Sequence, residues 1–333
     1  MESPVPQNNQ MKAILQRAYG LPEVLRLEAV DRPAVPNDGV LVRVVAAGIT
    51  KGDWHLLTGK PYPVRAAFGL GAPRRPIPGM AIAGRVEAIG RDVTAFHVGD
   101  EVLGEINRGG YAEYACATEK DLVPKPAGLT FEEAATLPVS STTALQGLRD
   151  AGALQAGQHV LVNGAAGGVG TWAVQIAMAL GARVTGVCSG ANVDLVRSLG
   201  ADHVIDYQQE DFTRGSARYD VIFDLVGNHP LAACRSVLTE RGRVVASAGG
   251  AENDWTGPAG QVIAGLLSNV YSAQKFVSLM ALANRTDLLT VCGLVEAGKV
   301  RAVIDRRYAL DEVPEAMRYL GLGHSRGKSV VTV

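Results

Sequence analysis

Residues 160 to 170 read VLVNGAAGGVG, an apolar run that breaks into a glycine-rich turn, and what surrounds that turn decides how the chain is built. Val160 to Val162 suit a strand buried on both faces. From Gly170 the sequence GTWAVQIAMALG predicts a helix closed by Gly181. Aligned to the G-x-G-x-x-G pattern of dinucleotide-binding turns, the stretch is Ala165-Ala166-Gly167-Gly168-Val169-Gly170. Gly167 holds the middle place, where a missing side chain lets the backbone approach a pyrophosphate, and Gly170 the last, where helix and strand pack closely. Alanine takes the first place, and Gly164 supplies some of the backbone freedom it lacks. The helix beyond offers its N-terminal amides and dipole to an anion.

A glycine turn of this kind also serves packing alone, so the flanking pattern carries the reading. After the turn come RVTGVC as a strand, NVDLVRSLG as a helix, and HVIDY, YDVIFDLVG and GRVVASAGG as further strands. Strands alternating with helices are the sequence form of right-handed βαβ units in a parallel sheet. Upstream, from Met11 to about Lys125, the runs MKAIL, VLVRVVAAG, AGRVEAIG, GDEVLGE and YAEYACA are separated by Gly, Pro and Asp. That punctuation predicts a mostly antiparallel β domain. Thr130 to Asp150 reads as helix with Thr130 as N-cap. The last stretch returns to strands, KVRAVID and KSVVTV, around the helix LDEVPEAMRYL, and is expected to rejoin the first domain.

A chain of 333 residues is long enough for two domains. Lys plus Arg at 32 against Asp plus Glu at 33 leaves no charge excess to attract nucleic acid or an anionic membrane. Cys116, Cys188, Cys234 and Cys292 form no CxxC pair, which argues against a zinc lobe or a disulfide framework and for a reducing, cytoplasmic setting. MESPVPQNNQ reads as a loose polar tail without the marks of a signal peptide. Apolar runs such as GPAGQVIAGLLSNV are broken well before bilayer-spanning length, so no transmembrane helix is expected.

The nucleotide is read at the end of the second strand of the alternating region, where an acid about twenty residues beyond the turn would bind the ribose hydroxyls of NAD. Here VCSGANVD places Ser189, Gly190 and Ala191 instead. The missing carboxylate permits a 2′-phosphate, and Ser189 and Asn192 offer it hydrogen-bond donors. For Asn192 a helix cap is the other reading. NADPH is the expected cofactor, with NADH left open, because no Lys or Arg sits in the loop.

These residues resemble the medium-chain dehydrogenase/reductase superfamily in its zinc-independent quinone oxidoreductase branch, near the reticulon-interacting oxidoreductases often labelled NAD(P)-dependent alcohol dehydrogenases. Beside the glycine turn, GITKGDWHLLTGKPYPVR, GGYAEYACATEKDLVPKPAGLTFEEAATLP, TALQGLRD, EVPEAMRYL and GHSRGKSVVTV fit the family. The resemblance implies an α/β protein with a GroES-like β-rich catalytic domain and a Rossmann doubly wound parallel-sheet domain. It divides the chain into a flexible tail of residues 1–10, a discontinuous GroES-like domain of 11–135 and 300–333, and a Rossmann domain of 136–299. It also implies an active site between the domains, a small-molecule substrate and a homodimer. By the same resemblance Thr143 lies near the nicotinamide, Gly168 and Val169 face the pyrophosphate, and Tyr207 with Arg326 or Lys328 approaches the adenosine phosphate. For Arg326 and Lys328 a solvated C-terminal turn is the other reading.

Zinc-dependent relatives hold metal with a Cys, a Gly-His-Glu run and a later Cys or Asp. Thr50 stands at the first place, and Met80 and Ala81 replace His-Glu. Hydroxyl, thioether and methyl groups are poor zinc ligands, so no metal is expected. Without a metal to lower an alcohol pKa, reduction of a quinone, enone or related carbonyl compound by NADPH is the expected reaction. Candidate proton-handling groups are Thr50, Lys51, Asp53 and Tyr62. For Lys51 and Asp53 a salt bridge or turn is the favoured reading, for His55 a satisfied or solvated imidazole, for Tyr62 a lid aromatic or the acid, and for Trp54 packing near the cleft. Asp224 and Gly227 are expected to shape a strand end. Alcohol or carbonyl oxidoreduction is the first alternative; a scaffold that binds nucleotide without redox turnover, or catalyses a step such as cyclisation, is the second.

Overall fold

In a computed structural model of the chain, the residues described are 9–247 and 259–333. The first half contributes β1 (Gln10–Gln16), β2 (Leu25–Asp31), β3 (Gly39–Gly48), β4 (Ala81–Ile89), β5 (Glu101–Glu105), β6 (Tyr114–Thr118) and β7 (Leu122–Pro124), with α1 (Lys51–Thr58) and α2 (Val64–Phe68) between β3 and β4. After them come α3 (Phe131–Ala135) and α4 (Ser140–Leu145), followed by β8 (His159–Asn163), α5 (Gly170–Ala179), β9 (Arg183–Cys188), α6 (Val193–Ser198), β10 (His203–Asp206) and β11 (Tyr219–Asp224). The chain continues through α7 (Leu231–Ser236), β12 (Leu238–Ala246), α8 (Ala259–Ser268), β13 (Lys275–Ser278) and α9 (Arg285–Glu296) to β14 (Ile304–Ala309), α10 (Val313–Gly321) and β15 (Lys328–Thr332).

Among the described residues, β8 to β13 form a six-stranded sheet in the order β10-β9-β8-β11-β12-β13 with every neighbour parallel. The order reverses between β8 and β9 on one side and β11 on the other, the switch point of a doubly wound sheet. Val160, Leu161 and Val162 are fully buried, as central parallel strands require. A second sheet runs β14-β15-β3-β4-β5-β7, with β6 also on β3. Its pairs are antiparallel except β14 with β15. The C-terminal strand therefore does rejoin the first sheet, pairing Val331 with Ala47. This is the α/β architecture expected from the sequence, a GroES-like β-rich half and a Rossmann half. Their cores are continuous: Ala46, Ala83 and Leu103 of the antiparallel sheet pack in one cluster with Trp172, Val184 and Phe223.

Three local expectations need correction. The stretch 130–150 is not one helix. Thr130 caps α3 through a reciprocal pair with Glu133, but Pro138 follows and Val139 turns to φ 67°, so α4 starts anew and ends in a wider turn of π type. KVRAVID becomes strand only at Ile304, because Gln175 of α5 holds both backbone groups of Arg301, its Oε1 accepting from the amide at 2.9 Å and its Nε2 donating to the carbonyl at 3.0 Å. Asn192 stands at the N-cap position of α6 without capping it; its Nδ2 donates to Ser189 Oγ at 3.1 Å. Of the expected tail, residues 1–8 lie outside the described residues, and Gln10 is already strand, paired with Asp31. The final glycines of GRVVASAGG lie outside them too.

Candidate functional site

The glycine turn links β8 to α5 at the switch point of the parallel sheet. Gly164 takes φ 87°, the left-handed region, which supplies the freedom missing from Ala165. At Gly170 a Cβ would stand 2.1 Å from the Gly164 carbonyl oxygen and 2.8 Å from Ala165, so close packing of helix on strand demands glycine there. At Gly167 the nearest atom to such a Cβ is 3.4 Å away, leaving the room beside the α5 N-terminus that a pyrophosphate needs. This cradle fits a dinucleotide. At the end of β11, Asp224 Oδ1 accepts from Asn163 Nδ2 at 2.9 Å and from the amides of Val226 and Gly227 at 3.1 and 2.9 Å. That fixes the neighbouring strand end, as expected of Asp224 and Gly227.

Along this wall Thr143 lies on α4, buried, its hydroxyl donating to the Val139 carbonyl. Val169 precedes α5. Ser189 follows β9 and Tyr207, half exposed, follows β10. Arg326 is exposed, with its amide donating to Asp305 at 2.9 Å. One residue that sequence reasoning missed stands here: Asp206 Oδ2 lies 2.7 Å from where a Gly190 Cβ would be. Its signal is the acid of VIDY, directly before Tyr207.

The opposite wall is the corner between β3 and α1. Thr50 and Asp53 form a capping box: Asp53 Oδ2 accepts from the Thr50 amide at 2.9 Å and hydroxyl at 2.7 Å, and Thr50 Oγ1 accepts from the Asp53 amide at 3.2 Å. Tyr111 OH donates to the same carboxylate oxygen at 3.0 Å. Asp53 is thus a turn residue and not the salt-bridge partner of Lys51, whose ammonium lies 5.9 Å from the centre of the Trp54 ring. Trp54 itself packs where α10 has Gly321; a Cβ there would meet the indole at 2.4 Å. His55 Nδ1 is 3.1 Å from the Lys60 carbonyl, and burial pulls its pKa down. Arg65 covers the Tyr62 ring at 4.8 Å.

Behind this corner lies a buried polar group that no local pattern announced. Arg108, at φ 70°, donates to Gln16 Oε1 at 2.7 Å, and Gln16 Nε2 donates to the Leu57 carbonyl of α1 at 2.9 Å. Asp53 Oδ1 and two Arg108 nitrogens are buried without partners. Burial pushes the Asp53 carboxyl up against the opposing hydrogen bonds from Thr50 and Tyr111 and the field of Lys328. Lys328, 3% exposed, donates to the Ile49 carbonyl, and burial brings its amine down to about 8. Burial also raises Glu105, opposite Ala81 in the β4–β5 ladder, to about 7.

Thr50 and Met80 both border Gly52: a Cβ there would stand 3.4 Å from Thr50 Oγ1 and from Met80 Sδ. With the Thr50 proton committed to Asp53 and a buried Ala81 methyl beside them, this trio does not fit zinc. Among the described residues no three His, Cys, Asp or Glu gather in a way that could hold a metal. Nor is any helix among them long and apolar enough to cross a membrane.

Two family models match the chain: an alcohol dehydrogenase GroES-like domain over residues 36–127, and a zinc-binding dehydrogenase domain over 199–331. The chain is 33% identical to a 2-methylene-furan-3-one reductase of Solanum lycopersicum, covering 97% of this chain and 79% of that one. It is 33% identical, over the same shares, to a chloroplastic NADPH-dependent alkenal/one oxidoreductase of Arabidopsis thaliana. Its fold superposes on the quinone oxidoreductase of Coxiella burnetii with a TM-score of 0.85 and 31% identity, covering 97% of this chain and 99% of the other.

Proposed function

The chain belongs to the medium-chain dehydrogenase/reductase superfamily, in its quinone oxidoreductase branch, and from that premise we propose that it reduces an enone, a quinone or a related activated carbonyl compound with NADPH, without zinc. The observation that carries this reading is a glycine cradle with room at Gly167, joined through Lys328 to a corner whose Thr50, Met80 and Ala81 are poor metal ligands. An activated double bond or quinone accepts hydride without a metal, whereas an alcohol lacks a way to lose its proton there. When bound, the reduced nicotinamide supplies that hydride.

The residues of the chain then divide the remaining work. The amides of Gly168, Val169 and Gly170 hold the pyrophosphate beside Gly167, whose own amide donates to the Gly164 carbonyl at 3.0 Å, and Thr143 borders the nicotinamide. Ser189, Asn192, Tyr207 and Arg326 surround the adenosine phosphate. Asp206 is the observation that favours NADH, because a carboxylate at this turn repels a 2′-phosphate and accepts from ribose hydroxyls. Thr50 and Asp53 set the shape of the substrate wall, since their protons and lone pairs serve each other. Lys51 and Tyr62, on the same stretch of chain, contact the substrate, and the proton comes from Tyr62 or water. The domain limits proposed are 11–135 with 300–333, and 136–299. A homodimer through the β13 edge is part of the reading: Ile263, Leu267 and Tyr271 beside that edge are exposed. A reducing, cytoplasmic setting belongs to the same proposal.

The deciding experiment offers the protein NADPH deuterated at the transferred position together with enones, quinones and aldehydes, with and without a chelator. The expected result is deuterium at the β-carbon of an enone, at a rate the chelator leaves alone. Label at a carbonyl carbon would favour alcohol or carbonyl oxidoreduction. Product without label would favour a non-redox step, and loss of activity in chelator would overturn the metal-free chemistry.

A further inference from the structure

Lys328 joins the two walls. Its stem lies on the glycine turn: a Cβ on Gly168 would stand 3.0 Å from Lys328 Cδ and 4.0 Å from Cγ. The preceding Gly327 amide donates to the Ala166 carbonyl at 2.8 Å, which ties the start of β15 to the same turn. Beyond the stem, the ammonium reaches the β3–α1 corner and donates to the Ile49 carbonyl. A lysine ammonium carries three protons, and one backbone carbonyl uses one of them. Among the described residues Lys328 has no ion-pair partner; Asp53 is the carboxylate whose field reaches it. A cation buried to this degree with a single neutral acceptor is expensive unless an anion completes it. The turn against which the stem lies opens α5, where helix dipole and amides favour an anion.

We propose that Lys328 binds the pyrophosphate of the dinucleotide, from the catalytic side of the glycine turn, rather than its adenosine phosphate. This rests on the dinucleotide reading of the turn. The two phosphates of the pyrophosphate are common to NADPH and NADH, whereas the adenosine 2′-phosphate belongs to NADPH alone. Lys328 thus contributes affinity without choosing between the two nucleotides. The charged groups around it are few: Asp53 acts on it from α1, Tyr111 donates to that carboxylate, and Arg108 feels the field of the same carboxylate. Because the free amine titrates near 8, an anion that prefers the ammonium raises that value on binding. Affinity is therefore full below pH 8, weakens as pH rises through it, and binding near pH 8 takes up a proton.

The test is calorimetric titration of the full chain with NADPH and with NADH at pH 7 and 9, in buffers of different ionisation enthalpy, for the wild type and for Lys328→Met, Lys328→Arg and Arg326→Met. One charge-assisted contact corresponds to a loss of about ten- to hundredfold in affinity. Lys328→Met is expected to lose that factor equally for both nucleotides and to flatten the pH dependence, with Lys328→Arg recovering part of the affinity. Arg326→Met is expected to weaken NADPH alone. A Lys328→Met variant that weakens only NADPH places the residue at the adenosine end and overturns the proposal; so does one that binds both as the wild type does. Its melting curve separates loss of a contact from loss of the fold. A wild type that binds neither nucleotide refutes the dinucleotide reading itself, a result distinct from a variant effect.

Discussion

The glycine turn and the β3–α1 corner are bridged by Lys328 and are built in opposite ways. The turn is seven consecutive residues, Gly164 to Gly170, whose function lies in backbone torsions and in side chains left out. The corner is gathered from Gln16, Thr50, Asp53, Arg108, Tyr111 and Lys328, and its function lies in polar groups taken out of water. A site made by omission costs little to fold and waits for its ligand to supply the charge. A site made by burying charge is expensive, and each polar group it leaves unpaired adds to that cost. Variants at the two walls should therefore fail differently.

The largest effect is expected at Gly170. An alanine methyl would sit 2.1 Å from the Gly164 carbonyl oxygen, a backbone atom that has no rotamer by which to retreat. Gly170→Ala should cost about 3 kcal/mol or more in urea unfolding. Gly167→Ala, three residues earlier, should leave unfolding almost unchanged and weaken nucleotide binding instead. Equal stability losses at the two glycines would break the distinction between packing glycine and approach glycine within the turn.

At the corner, Asp53→Ala strands three donors at once: the Thr50 amide, the Thr50 hydroxyl and the Tyr111 hydroxyl. The expected cost is about 2–4 kcal/mol, the range for losing a buried acceptor together with a helix cap. Tyr111→Phe removes one of these bonds and should cost about 1 kcal/mol. Measured together, the two substitutions should lose less than the sum of their separate effects, because they share one carboxylate oxygen. Strict additivity would show that the corner is a set of independent bonds and not a network.

The same contrast explains how much of the molecule is legible in its sequence. The turn is readable because its parts are adjacent and the strand before and helix after it are periodic. Thr130 is equally local, and it caps α3 as expected, through a reciprocal pair with Glu133. By contrast, Arg108 lies 92 positions from Gln16 and Tyr111 lies 58 from Asp53, and no local pattern marks either pair. The late start of β14 is hidden for the same reason, whereas the helix break is marked locally by Pro138. Arg301 is held by Gln175, 126 positions away. Lys328 is visible in the sequence as a cation near the C-terminus, but its burial depends on where β15 joins β3.

A smaller effect probes how far the burial of charge extends behind the corner. Glu105 shares a small pocket with Asp121, Thr142 and Arg285, and burial holds its carboxyl at about 7, with Asp53 and Asp121 pushing the same way and the Val139 amide opposing. Its value in an unfolded chain is 4.5. A folded value above the unfolded one means that its contribution to stability is complete below about pH 4.5 and is lost as pH rises through 7. The loss should amount to about 1–3 kcal/mol across that window. Glu105→Gln has no proton to lose there, so its unfolding free energy should follow that of the wild type near pH 5 and exceed it at pH 8. If both proteins lose stability in parallel from pH 5 to 8, the carboxyl is solvated in the folded chain, and the costly burial of charge stops at the Asp53 network.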